Sequence, residues 1–210
     1  MSSNDWAEEN LQVIRTLMER ASVYRRKMAP MMFLAASVGT AGGFVAQQIG
    51  IQSMRSFSFY WSLIAAVILL VSGYIVRGQA IGSGEQFWTA PTKRIFLAFL
   101  PVFVVGGALG LTYIVGPDAP LQKGGHLLVV AWCFLYGLGL HSAGFFVAKG
   151  IRRLGWFFII AGLAMGFLTL QPNQSFLRMN PSFIMGAVFG GLHLLSGIYL
   201  FYTEQGDAGA

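Results

Sequence analysis

Two histidines set inside apolar, glycine-rich stretches are the residues of this 210-residue chain best placed for chemistry. His141 lies in YGLGLHSAGF, with Gly137 four residues before it and Gly144 three after. His193 lies in FGGLHLLSGIY, with Gly190 three before and Gly197 four after. Helix positions three and four apart share a face, so each imidazole stands on a face kept clear by small residues. That setting leaves three uses open. Each neutral imidazole can hydrogen-bond across a helix interface, to Tyr136, Ser142, Ser196, Tyr199 or a backbone carbonyl. The pair can supply axial ligands to a haem, with the glycines making room for the macrocycle. One histidine can instead hold a quinone or another small ligand. No other cofactor is indicated.

Most other chemistries lack their residues. Glu85 and Asp118 fall between apolar stretches, and Glu204 and Asp207 follow the last one. A proton or ion pump keeps an ionisable residue within the bilayer at considerable cost. A chain with no carboxylate there is not expected to run proton-coupled transport. No HExxH, paired carboxylates or phosphate-cradling glycine loop is present. Cys133 is the only cysteine, which rules out an intrachain disulfide.

The elements that carry the histidines are six apolar stretches, at about 28–48, 58–76, 95–115, 125–148, 154–171 and 182–202. Each matches the roughly 20 residues that a helix needs to cross a bilayer core of about 30 Å. The composition agrees, at 55% hydrophobic and 10% charged, with a mean hydropathy of +0.63. A soluble domain carries about 25% charged residues. Prolines flank the stretches, and Pro30 and Pro101 fall in the first turns of theirs, where a missing N–H costs little. Trp61, Trp88, Trp132 and Trp156, with Tyr60, Tyr199 and Tyr202, are expected at the membrane interfaces.

The bases divide unevenly between the two ends of the spans. Arg15, Arg20, Arg25, Arg26, Lys27, Arg77, Lys93, Arg94, Lys149, Arg152 and Arg153 fall on one side. Arg55, Lys123 and Arg178 fall on the other. Basic loops stay in the cytoplasm, so both termini are expected there. The net charge of +6 suits anionic lipid headgroups. Too little chain lies outside the bilayer to build a nucleic-acid site. Residues 1–27 form a separate element, with Leu11, Ile14, Leu17, Met18 and Ala21 at helical spacing, acids at the start and bases at the end. They predict a cytoplasmic amphipathic helix, followed by a membrane domain over 28–203 and a cytoplasmic tail over 204–210.

Glycine spacing suggests an internal repeat. Gly39 and Gly43, Gly106 and Gly110, and Gly162 and Gly166 form GxxxG pairs on the odd-numbered spans, a spacing that lets backbones approach closely. The even-numbered spans carry Gly73, Gly144 and Gly197 near their cytoplasmic ends. Three similar helical hairpins, with these nine glycines as packing positions, are the simplest account of the pattern.

The segments ENLQVIRTLMERASVYR, GLGLHSAGFFVAKGIRRLGW and GGLHLLSGIYLFYTE together resemble a group of small, uncharacterised bacterial polytopic membrane proteins. The resemblance implies six helices in a bacterial inner membrane and carries no activity, cofactor or catalytic residue with it. The expected fold is an all-α membrane protein. The expected function is non-enzymatic assembly, with itself or with other membrane subunits. The alternative is a haem-, quinone- or ligand-binding protein, or a small transporter, using His141 and His193.

Overall fold

Length and apolar content alone oblige the stretches to be helices, because a backbone in lipid must satisfy its own hydrogen bonds. A computed structural model of the protein describes residues 10–14, 27–84, 86–147, 149–171 and 175–206. It contains six long helices: α1 Ala29–Gln48, α2 Met54–Gly82, α3 Ala90–Val115, α4 Gln122–Ala143, α5 Lys149–Leu170 and α6 Pro181–Gly206. Each is long and apolar enough to cross a membrane. The protein is therefore a multi-pass, all-helical membrane protein. The described residues also include a short 3₁₀ turn, Phe176–Arg178, and one isolated β-bridge between Ser53 and Pro120. The amphipathic helix expected over 1–27 is described only at residues 10–14, which are helical with Leu11, Val13 and Ile14 exposed. Residues 1–9, 15–26 and 207–210 lie outside the described residues.

Local chemistry accounts for the helix ends. Pro30 sits in the first turn of α1, where its missing N–H costs nothing. Just past the end of that helix the chain turns at Gly50, whose φ of 68° suits a residue without a Cβ. Ser53 caps α2 by accepting from the backbone N–H of Ser56 at 3.2 Å. Several boundaries differ from expectation: α4 ends at Ala143 rather than near 148, and α5 starts at Lys149 rather than near 154. Helix α2 has 29 residues and runs on through Arg77 to Gly82, and α3 starts at Ala90. The basic connection expected over 77–94 is thus mostly helix. Pro101 consequently falls in the interior of α3 rather than in its first turn. There it removes the N–H that would reach the Leu97 carbonyl, a loss that membrane helices tolerate when neighbouring groups compensate.

Each helix touches the next along the chain, and α6 closes back on α1. The closest pairings are α1 with α6 and α4 with α5, so both of the tightest joins lie between the expected hairpins and neither lies within one. Helix α4 is the hub, because it also reaches α2 and α6. Burial follows this arrangement. Half of the apolar segment of α1 and of α4 is buried, against 11% for α2 and 6% for α3. Helices α2 and α3 therefore form a wall that presents most of its surface outward.

A clasp joins the two connections that flank this wall, residues 49–53 before α2 and 116–121 after α3. The Met54 N–H donates to Ala119 O at 2.8 Å and the Leu121 N–H to Gln52 O at 2.9 Å. Arg55 adds a bond from its guanidinium to Gly116 O at 2.9 Å. These bonds satisfy backbone groups that a short loop would otherwise leave to water.

Candidate functional site

The polar centre of the bundle is built around His193, which α6 carries inward at 0% exposure. Its Nδ1 lies 2.7 Å from the Phe189 carbonyl oxygen, one helical turn back. A carbonyl only accepts, so Nδ1 carries the proton and donates. In a neutral imidazole Nε2 is then the acceptor, and the Tyr136 hydroxyl of α4 donates to it at 2.8 Å. Both ring nitrogens are satisfied, and the pair joins α4 to α6 in the apolar core. Tyr136 and a backbone carbonyl were among the partners that the sequence offered.

Aromatic rings enclose this pair. Phe189 lies 4.3 Å from the imidazole between ring centroids, Phe158 of α5 5.3 Å and Tyr136 5.5 Å. Tyr136 meets Phe158 edge-on at 5.0 Å. A metal ligated through Nε2 would have to displace the Tyr136 hydroxyl, and a macrocycle beside the ring would have to displace the phenyl groups. The arrangement is suited to locking helices α4, α5 and α6 together.

His141 has a different setting despite its matching sequence surroundings. It is half-buried on α4, edge-on to Phe145 and to Trp156, both at 5.4 Å. Its Nδ1 is buried and has no hydrogen-bond partner. Among the described residues no hydrogen bond or ring contact joins His141 to His193. His126 is buried near the N-terminal end of α4 against the Phe176 ring at 5.1 Å.

The expected packing glycines divide sharply by what surrounds them. Gly39 and Gly43 of α1 face Gly190 and Gly186 of α6, and a methyl group on Gly186 would come within 2.7 Å of the Gly43 Cα. Gly144 lies against the Arg152 backbone, where a Cβ would approach to 2.7 Å. Gly197 packs on Met32 and Phe33. Gly106 and Gly110 accommodate Trp132, whose indole N–H donates to Gly106 O at 3.0 Å. Gly162 faces the Phe134 ring, and Gly166 faces Val130. Gly73 is the departure: it is exposed, and nothing lies within 4 Å of where its Cβ would be. It belongs to the outward face of the wall, where Gly78 and Gly107 likewise have nothing within 4 Å.

Sequence reasoning passed over several packing positions. Gly186 and Gly190 are themselves a GxxxG pair. Gly137 and Gly155 bring α4 onto α5, with a Cβ on Gly155 reaching 2.6 Å from the His141 backbone nitrogen. Two residues expected at the interfaces turn toward neighbouring helices instead, Trp61 buried and Trp132 half-buried. Trp61 is 3% exposed, and Trp132 stacks on Phe57 at 6.0 Å. No group of three or more His, Cys, Asp or Glu able to hold a metal occurs among the described residues. Cavities open on the surface of the described residues. One of about 440 Å³ lies near Gln52, Arg178 and Asn180. Another, of about 310 Å³, is a largely apolar groove between α5 and α6. Comparisons with protein-family models, with curated proteins and with solved structures found no match to this chain.

Proposed function

We propose that this chain is a non-enzymatic integral membrane protein that assembles in the bilayer, with copies of itself or as a small subunit of a larger membrane complex. One observation carries the proposal: the α2–α3 wall is almost unburied and exposes Gly73, Gly78 and Gly107 with nothing packed on them. Lipid does not drive helices together, whereas small residues that admit a neighbouring backbone do. The core polar pair, by contrast, is consumed internally. Chemical cross-linking in native membranes, followed by mass measurement in mild detergent, tests this reading. The expected result is a species heavier than one chain that Gly107→Leu dissociates. A monomer under both conditions would overturn it.

The same proposal places the protein in a bacterial inner membrane with both termini cytoplasmic and the N-terminal segment, residues 1–27, resting on the headgroups. Its support is the concentration of bases at one end of the bundle, including Arg77, Arg94, Lys149, Arg152 and Arg153. Each base near an anionic surface contributes about 1 kcal/mol of attraction. An N-terminal tag that is cleaved from outside intact cells would refute this orientation. A second reading, a haem, quinone or small ligand held at a membrane histidine, is favoured at His141 alone, by its unpartnered Nδ1. A visible absorption spectrum and extraction of the purified protein test it; a bare spectrum with no extractable ligand removes it.

A further inference from the structure

The groove between α5 and α6 changes character along its length in the same order as a phospholipid does. At its cytoplasmic end stands Arg153, exposed, with its guanidinium donating to the Tyr199 hydroxyl at 2.8 Å and lying 5.6 Å from the Tyr199 ring centroid. A guanidinium has five N–H donors, so this bond leaves others for an anion. Ser196 comes next, three residues back along α6 and so about 4.5 Å deeper at 1.5 Å per residue. Ser196 is one of the residues lining the groove; it is 9% exposed, and its hydroxyl oxygen is buried with no hydrogen-bond partner. Beyond it the lining is apolar, from Phe157, Leu192 and Leu195. The volume of about 310 Å³ falls at the lower end of the range for small-ligand sites, about 300–1,000 Å³.

We propose that this groove binds one phospholipid with a net anionic headgroup. The phosphate lies on the free edge of Arg153, the geometry in which a guanidinium recognises phosphate best. The Ser196 hydroxyl donates to an ester carbonyl of the glycerol backbone, which removes an otherwise unpaired buried donor. One acyl chain runs along Leu195, Leu192 and Phe157. Lys149 and Arg152 flank the site in sequence and add positive charge, which repels the ammonium of a zwitterionic headgroup. This site deepens the reading that the basic end of the bundle meets anionic headgroups, and it rests on that reading.

Native mass spectrometry of the full chain, released from nanodiscs of phosphatidylglycerol and phosphatidylcholine, tests the proposal. The expected result is one phosphatidylglycerol retained per chain at detergent concentrations that strip phosphatidylcholine. Arg153→Gln should weaken that retention about tenfold or more, and Ser196→Ala about threefold, with melting temperatures in lipid-free detergent unchanged. Inorganic phosphate at millimolar levels should not displace the lipid, because it brings no acyl chain; displacement would show a bare anion site and overturn the proposal. Equal retention of the two lipids would sink both the groove and the general anionic preference. A preference for phosphatidylglycerol that Arg153→Gln and Ser196→Ala leave intact would sink the groove alone.

Discussion

The α1–α6 and α4–α5 crossings and the α2–α3 wall are made of much the same residues and treat them in opposite ways. At the crossings glycine is spent on contact: backbone meets backbone at Gly43 and Gly186, and at Gly137 and Gly155. On the wall Gly73, Gly78 and Gly107 meet nothing. Glycine spacing therefore states that a close approach is possible, and the opposite helix decides whether it happens. A helix in lipid gains nothing from hiding apolar side chains, so packing geometry alone separates an inner face from an outer one. Polar side chains follow the same division. Tyr136 and His193 sit among the crossing helices, whereas the Tyr74 ring on the wall is 78% exposed.

The largest effect that would break this contrast belongs to Gly186→Leu. The new side chain meets the backbone of Gly43 and of Gly39, and backbone cannot swing aside as a rotamer does. A loss of at least about 3 kcal/mol is expected, read as failed expression or a collapsed melting temperature. A stable Gly186→Leu protein would show that α1 and α6 do not cross at these residues. A middling effect is expected from Tyr136→Phe, which keeps the ring and strands the His193 Nε2 as an unpaired acceptor. The cost should be about 1–2 kcal/mol. In Tyr136→Phe combined with His193→Leu the losses should sum to less than the two single values, because the two residues share one bond; strict additivity would deny that bond. The smallest effect is expected from Gly73→Leu. With nothing within 4 Å, the stability of the isolated chain should shift by no more than about 0.5 kcal/mol. A larger loss in the monomer would mean that the wall is packed after all.

The six spans were readable because hydropathy over about 20 residues is a property of each segment by itself. Helix pairing was not readable in the same way. Gly39 and Gly43 announced a close neighbour, but their partner is 143 or more residues away in sequence, at Gly186 and Gly190. Trp61 and Trp132 show the same limit from the other side. An amphipathic indole suits an interface, yet a helix neighbour whose carbonyl can accept a second bond, as Gly106 does from Trp132, suits it equally well. At the candidate site, residue type and spacing suggested two equivalent histidines. Tertiary structure made them unequal, since one meets a tyrosine and the other does not. Nothing local to YGLGLHSAGF or FGGLHLLSGIY encodes that difference.

The closure of α6 on α1 also imposes an order in time. Synthesis runs from α1 toward α6, so the earliest made of these six helices has the backbone partner that is made last of the six. Until Pro181–Gly206 emerges, the glycine face of α1 has only lipid against it, and the nascent protein is an open chain of helices. The α4–α5 crossing needs no such wait, because its two strips of backbone are separated by a short turn. Biogenesis should therefore pass through a stage with α4 and α5 already joined and α1 still free to move, as expected when the longest-range contact closes last. During that interval a membrane protease or insertase would meet a face of the protein that the finished molecule never shows.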